Sequence, residues 1–123
     1  MDDNINDGGY HAIHWLQEKA VSRLGGDKTF VQKLARLFLQ DSPGLMKEIE
    51  FGIKEQAYDA AFVPLHSLKG TCSNFCSSKL EDTCDRMLLQ LKSNDWQQAE
   101  IEHEQLAEQY WKLDEELRYF VKE

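Results

Sequence analysis

The chain has 123 residues and a mass of 14.3 kDa, which is enough for one domain of ordinary size. Hydrophobic residues make up 41% and charged residues 29%, so a core can form, and only 7 Gly and 2 Pro argue against many short strands joined by tight turns. The net charge is −8, with acidic side chains concentrated at both ends and no basic stripe, so binding to nucleic acid or to an anionic membrane surface is unfavourable.

Residues 1–10 are rich in Asp, Asn and Gly and are predicted to form a flexible segment, followed by one domain over residues 11–123. This start has neither the basic nor the apolar region of a signal peptide. No apolar run reaches the ~20 residues that a membrane span needs. We therefore expect a cytoplasmic protein with reduced cysteines.

The first two helices are predicted from hydrophobic positions spaced three and four residues apart. The first covers residues 11–24 and ends at a Gly-Gly pair, after which Asp27 is placed to cap the second. The second covers residues 28 to about 56. Because a proline inside a helix removes a hydrogen bond, we expect a kink or a break into two helices just before Pro43.

A third helix is predicted over residues 59–75. Proline is tolerated in the first turn, so Pro64 places the regular start near Ala61 or bends the helix there. The fourth helix is predicted to begin at a capping box formed by Ser78 and Glu81.

The fifth helix has the clearest pattern, because its apolar positions alternate in steps of three and four over more than three heptads. The sequence thus predicts an all-α fold, an antiparallel four-helix bundle with a short additional N-terminal helix. Trp15, Trp96 and Trp111 are expected to pack against apolar neighbours. The acidic face of the last helix, which includes Glu102, is expected to be a solvated surface.

One of the four histidines stands apart from the others. His103 lies on the apolar seam of the last helix and is expected to be a core or boundary residue. His11 and His14 have a spacing that can hold a metal, but no third ligand is near. His66 points away from the apolar face of its helix, a face defined by Phe62, Leu65, Leu68 and Cys72.

The residues beside His66 suit close approach by an anionic group. Lys69 lies one turn later, and Val63 and Ser73 share the same face. Gly70 costs ~1 kcal/mol relative to Ala inside a helix, and it leaves the surface bare beside the imidazole. At neutral pH much of an exposed imidazole is a free nucleophile. A phosphoryl group on it would bring negative charge that Lys69 can offset.

The segment HSLKGT at residues 66–71 resembles the H-x-L-K-G-[ST] signature of histidine-containing phosphotransfer (HPt) domains. Upstream, RLGGD at 23–27 and LFLQDSP at 37–43 are similar to a pattern common in these domains. Leu80 matches their third bundle helix. The resemblance covers about residues 13–120.

The resemblance implies a phosphorelay intermediate that is a phosphoryl carrier without its own ATP site, and not an enzyme. His66 accepts a phosphoryl group from a receiver-domain aspartate and passes it to another receiver, or back. Lys69 stabilises the phosphohistidine, Gly70 leaves room for the receiver, and Val63 and Ser73 form the contact rim. The receiver, in a response regulator or a hybrid sensor kinase, supplies an acidic pocket with Mg²⁺. The chain needs no cofactor of its own, and we expect a monomer.

Three positions depart from the family pattern. Many relatives have Gly ten residues after the histidine, where this chain has Cys76, and some have Gln or Glu twenty-two residues after it, where this chain has Leu88. Pro64, two residues before the histidine, is also unusual. Arg86 or Gln90 is expected to replace the missing polar group that orients the imidazole.

Two alternatives stay open at this point. Cys72, Cys76 and Cys84 are either buried core thiols, redox sensors, or three ligands of a zinc site completed by His66. The whole domain is alternatively a non-catalytic helical adaptor for protein interaction, with an incidental surface histidine.

Overall fold

The computed structural model describes Trp15 and residues 17–123. The predicted flexible segment, the start of the predicted first helix, His11 and His14 lie outside the described residues. The described residues form helices and turns and contain no strand. The helices are α1 (Gln17–Arg23), α2 (Lys28–Lys54), α3 (Tyr58–Ser73), α4 (Ser78–Lys92) and α5 (Trp96–Phe120).

The four long helices form a closed ring. Helix α2 contacts α3 and α5, and α4 contacts the same two helices, so α3 and α5 are diagonal partners. The connections between α2, α3, α4 and α5 span only three or four residues, which makes consecutive helices antiparallel. Helix α1 packs against α2. The predicted four-helix bundle with a short N-terminal helix is confirmed.

Two of the long helices begin with an aspartate cap. Asp27 accepts a hydrogen bond from the backbone N–H of Phe30 at 3.2 Å, and Asp95 accepts one from Gln98 at 3.2 Å. The predicted capping box of α4 is wrong. Ser77, not Ser78, is the N-cap residue, and its buried hydroxyl makes no capping hydrogen bond.

Each turn between the long helices contains a residue with a positive φ. These are Gln56 at 52°, Cys76 at 52° and Asn94 at 58°. Glycine adopts this left-handed conformation without steric cost. Cys76 therefore accepts a local strain at the position where many HPt domains have glycine.

The predicted break before Pro43 and the predicted helix start near Ala61 are wrong, whereas a bend at either proline stays a prediction. Helix α2 is a single helix through Pro43, and α3 begins at Tyr58, which makes Pro64 its seventh residue. A proline inside a helix costs ~3 kcal/mol, which packing must offset. Here α2 and α3 approach so closely that a Cβ at Gly52 would clash with the backbone of Ala61.

The core runs along the bundle axis and holds both aromatic and aliphatic side chains. Trp15 is buried edge-on against Phe75 and Phe120. Within this core the hydroxyl of Ser42 shares a 2.7 Å hydrogen bond with that of Tyr110, which joins α2 to α5. This hydrogen bond offsets the cost of removing the two hydroxyls from water.

Two expectations about α5 are wrong. Trp111 is 59% exposed, although its ring makes an edge contact with Tyr110. Glu102 is only 8% exposed and accepts hydrogen bonds from Arg86. The packing prediction holds for Trp15, and Trp96 is partly buried against the core. His103 is half-buried, as expected for a boundary residue.

Candidate functional site

His66 lies on the exposed side of α3, opposite the buried side chains of Leu65, Leu68 and Cys72. Its imidazole stacks on the ring of Phe62, with centroids 5.9 Å apart and planes 15° apart. Phe62 in turn stacks on Tyr58, at 5.3 Å and 21°. In the part of the chain that the structure describes, no hydrogen bond reaches the imidazole. The rings therefore support His66 from one side without engaging its nitrogens.

This aromatic stack was not recognised from the sequence. Tyr58, Phe62 and His66 are spaced four residues apart, and residues at this spacing are neighbours on a helix surface. That spacing was the available signal. It was missed because Phe62 also belongs to the apolar face, where its partly buried ring packs against the core.

Lys69 does not stand alone beside His66. Its ammonium forms a hydrogen-bonded ion pair with the carboxylate of Asp85 on α4. The hydrogen bond to Asp85 raises the pKa of Lys69, as does the charge of Asp85, with a further contribution from Glu81. Both side chains of the pair remain partly exposed. Lys69 is therefore a fixed cation whose position is set by the neighbouring helix.

Gly70 is exposed, and a Cβ built on it meets nothing within 4 Å. The fold itself therefore does not require glycine at this position. A helix-interior glycine is unfavourable relative to alanine by ~1 kcal/mol. The packing of the bundle therefore does not explain a glycine beside His66.

Val63 lies one turn before His66 on α3, and Ser73 is the last residue of the same helix. Val63 is 61% exposed and lines a groove of about 440 Å³ between α2 and α3, together with Phe51, Ala60 and Pro64. Lys47, Glu48 and Asp59 add charges to the lining of the groove. Ser73 is partly buried, and its backbone carbonyl accepts a hydrogen bond from Arg23.

The expected replacement for the polar group at position 88 is not found. Leu88 is buried, and Arg86 and Gln90 both donate hydrogen bonds to Glu102 on α5. Neither donates to His66. The contact that the structure gives the imidazole is the stack with Phe62.

The three cysteines are buried and unpaired. Burial raises the pKa of Cys72 well above its usual range and that of Cys84 to about 12, so both remain protonated. The guanidinium of Arg23 donates a long hydrogen bond of 3.5 Å to the Sγ atom of Cys76. Among the described residues, no group of three or more His, Cys, Asp or Glu side chains is arranged to hold a metal ion. Cys72 and Cys84 act as core residues.

These observations define a helical bundle that presents a histidine, a lysine and a bare glycine on one exposed helix face. The family model described as the Hpt domain matches residues 33–119, which include all of α3 and α4. The chain belongs to this family, whose members have a histidine phosphotransfer role in phosphorelays and interact with receiver domains.

Two further comparisons found nothing: no curated protein and no solved structure matches the chain significantly. Within the described part of the chain, none of the helices combines the length and the hydrophobicity needed to cross a membrane.

Proposed function

We propose that this chain carries a phosphoryl group on His66, taking it from the aspartyl phosphate of one receiver domain and giving it to the aspartate of another, or returning it. One observation supports this most strongly. The imidazole of His66 is exposed, lies inside the segment that matches the Hpt family, and makes no hydrogen bond with the described residues. A nucleophile in this state needs no rearrangement of its own chain before it reacts.

The transfer is a displacement at phosphorus. The lone pair of the unprotonated ring nitrogen forms the N–P bond while the bond between phosphorus and the aspartyl oxygen breaks, and the carboxylate leaves with that electron pair. The hydrogen on the other ring nitrogen stays there or is lost to solvent. Because phosphoryl transfer depends on positioning and charge stabilisation, this chain contributes an oriented imidazole, and the receiver contributes its acidic pocket with Mg²⁺.

Lys69 and Gly70 have separate roles in this proposal. The ammonium of Lys69, one turn from His66, offsets the negative charge that the phosphoryl oxygens bring. Gly70 lets the receiver backbone approach the imidazole, since any side chain there would project into open space on the reacting face.

The receiver is proposed to dock across the exposed sides of α2 and α3. Phe51 and Val63 are exposed apolar side chains in the groove that begins one turn before His66. Apolar side chains surrounded by charged ones are typical of specific but separable interfaces. Ser73 extends the same surface toward the end of α3. A monomer acting in the cytoplasm, with no ATP site and no cofactor of its own, remains a prediction.

The test is transfer from a phosphorylated receiver domain. The wild-type chain should acquire a label that is labile in acid and stable in base, as expected for a phosphoramidate bond to nitrogen. His66→Gln should acquire none, whereas His103→Gln should be labelled at the wild-type rate. Equal labelling of His66→Gln and wild type contradicts the proposal. Binding of receivers without any transfer would favour the adaptor alternative.

A further inference from the structure

The cation proposed to stabilise phosphohistidine is already engaged when no phosphoryl group is present. Lys69 on α3 is paired with Asp85 on α4. Glu81, one turn before Asp85, adds a second negative charge that acts on the same ammonium. The pair lies on the surface above the buried Cys84. A phosphoryl group arriving on His66 therefore meets a lysine that is already paired with a carboxylate.

We propose that Asp85 is a positioning residue that holds Lys69 toward α4 and thereby limits the stability of the phosphohistidine. This inference rests on the proposed function of His66. The carboxylate of Asp85 and the phosphoryl oxygens compete for the single ammonium of Lys69, because both are strong acceptors for it. Asp85 occupies one of the three N–H donors of the ammonium, offsets part of its charge and holds it toward α4, so Lys69 stabilises the phosphoryl group less than an unpaired lysine would.

A relay intermediate gains from this competition. A carrier has to accept a phosphoryl group and also release it to the next receiver, so a very stable adduct would stop the relay. An ion pair exposed to solvent is weak enough to yield to a dianion at close range, yet it lowers the net stabilisation. Asp85 thus limits how strongly Lys69, which acts on the phosphoryl group directly, stabilises that group.

The experiment uses phosphoramidate as donor, because this small molecule needs no receiver. Its N–P bond breaks, ammonia leaves, and a new N–P bond forms to the imidazole. After removal of the donor, loss of the phosphoryl group from His66 to water is followed at neutral pH by peptide mapping. The variants are Asp85→Asn, Lys69→Ala and the double variant, with Asp82→Asn as the matched control, an exposed acid on the same helix.

Asp85→Asn should lengthen the phosphohistidine lifetime by about two- to fivefold, the range expected for one exposed charge interaction. Lys69→Ala should shorten it, and adding Asp85→Asn to Lys69→Ala should recover little, because Asp85 acts through Lys69. Asp82→Asn should leave the lifetime within about 1.5-fold of wild type. Asp85→Glu, which keeps the carboxylate, should stay close to wild type.

The outcomes separate this inference from the proposed function. If His66→Gln is labelled by the phosphorylated receiver as well as wild type is, the proposed function fails. If receiver labelling requires His66 but Asp85→Asn has the same lifetime as Asp82→Asn, or a shorter one, only the role of Asp85 is overturned. If Asp85→Asn lengthens the phosphohistidine lifetime equally in the wild-type and Lys69→Ala backgrounds, the role of Asp85 is also overturned. Asp85 would then repel the phosphoryl group directly and not act through Lys69.

Discussion

The exposed face of α3 and the interface between α4 and α5 differ in the hydrogen bonding of their polar side chains. Between α4 and α5, the buried carboxylate of Glu102 accepts hydrogen bonds from Arg86 and Gln90, and Thr83 donates to Gln109. On α3, the exposed imidazole of His66 has a ring beneath it and no hydrogen bond from the described residues. Satisfied polar groups hold helices together, whereas an unengaged nucleophile is available for chemistry.

Because of this difference, we expect substitutions in one region to affect stability and substitutions in the other to affect function. Substitutions between α4 and α5 should change the free energy of unfolding and leave His66 reactive. Substitutions on the exposed face of α3 should change transfer and leave the fold intact.

Gly70→Leu should reduce the rate of transfer from a receiver by at least about tenfold, because a side chain there occupies the space of the approaching partner. The same substitution should stabilise the fold by up to about 1 kcal/mol, since leucine is the better helix former. Transfer reactions quenched at set times measure the rate, and urea unfolding measures the free energy of unfolding.

Glu104→Leu is the matched control, because it adds the same side chain to an exposed position of α5, diagonal to α3. It should transfer at the wild-type rate. Phosphoramidate should label Gly70→Leu as well as it labels wild type, because the small donor needs no clearance. Normal transfer to Gly70→Leu from the receiver would show that the bare backbone has no role in docking.

Glu102→Ala should destabilise the fold by about 1–2 kcal/mol, because Arg86 and Gln90 lose their acceptor at a partly buried position. Glu104→Ala removes an exposed acid from the same helix and should stay within about 0.5 kcal/mol of wild type. Urea unfolding distinguishes them. Both should be phosphorylated on His66 at the wild-type rate under conditions where they are folded, and a selective loss of transfer in Glu102→Ala would break the proposed division.

Phe62→Leu should slow phosphorylation of His66 by about two- to threefold, because the imidazole loses the ring that restricts its orientation. Tyr58→Leu removes the outer ring of the stack without touching His66, and it should have a smaller effect. Single-turnover transfer at saturating receiver measures both. Equal rates for Phe62→Leu and wild type would mean that the stack does not orient the nucleophile.

The pH dependence of folding should include a contribution from His103. Burial lowers the pKa of this half-buried histidine below its ordinary value of 6.5, and the charges of Glu50, Glu104 and Glu100 oppose that shift. The folded state therefore binds the proton less readily than the unfolded state. The cost is absent well above pH 6.5, grows as the pH falls through 6.5 toward the folded pKa, and is constant below it.

His103→Gln should accordingly lose less stability than wild type when the pH is lowered from about 7.5 to about 5. Urea unfolding at the two pH values gives the comparison, and an NMR titration of the wild-type ring gives the pKa directly. Parallel pH profiles for the two proteins would show that His103 titrates alike in both states.

Helical periodicity was sufficient to predict the bundle. The repeat of three and four in α5, and the Asp27 and Asp95 caps, identify helices without any tertiary information. The break at Pro43 and the helix start near Ala61 were wrong because a local rule does not include packing. Pro43 lies next to Ser42, whose bond to Tyr110 joins α2 to α5, and Pro64 follows Ala61, which Gly52 of α2 approaches closely.

The candidate site was only partly predictable. His66, Lys69 and Gly70 share one helix, so their spacing alone predicts that they share a face. Asp85 comes from α4, and its pairing with Lys69 depends on how two helices are rotated against each other, which no spacing within one helix reveals. The burial of Glu102 was missed for the same reason, since its partners also lie on α4.

The most direct test of the central claim is to locate the phosphoryl group on the chain after transfer from a receiver. Peptide mapping at neutral or basic pH, which preserves phosphohistidine, identifies the modified residue. We expect one modified peptide, the one that contains His66, with the phosphoryl group on its imidazole. A phosphoryl group found on His103 and not on His66 would contradict this expectation.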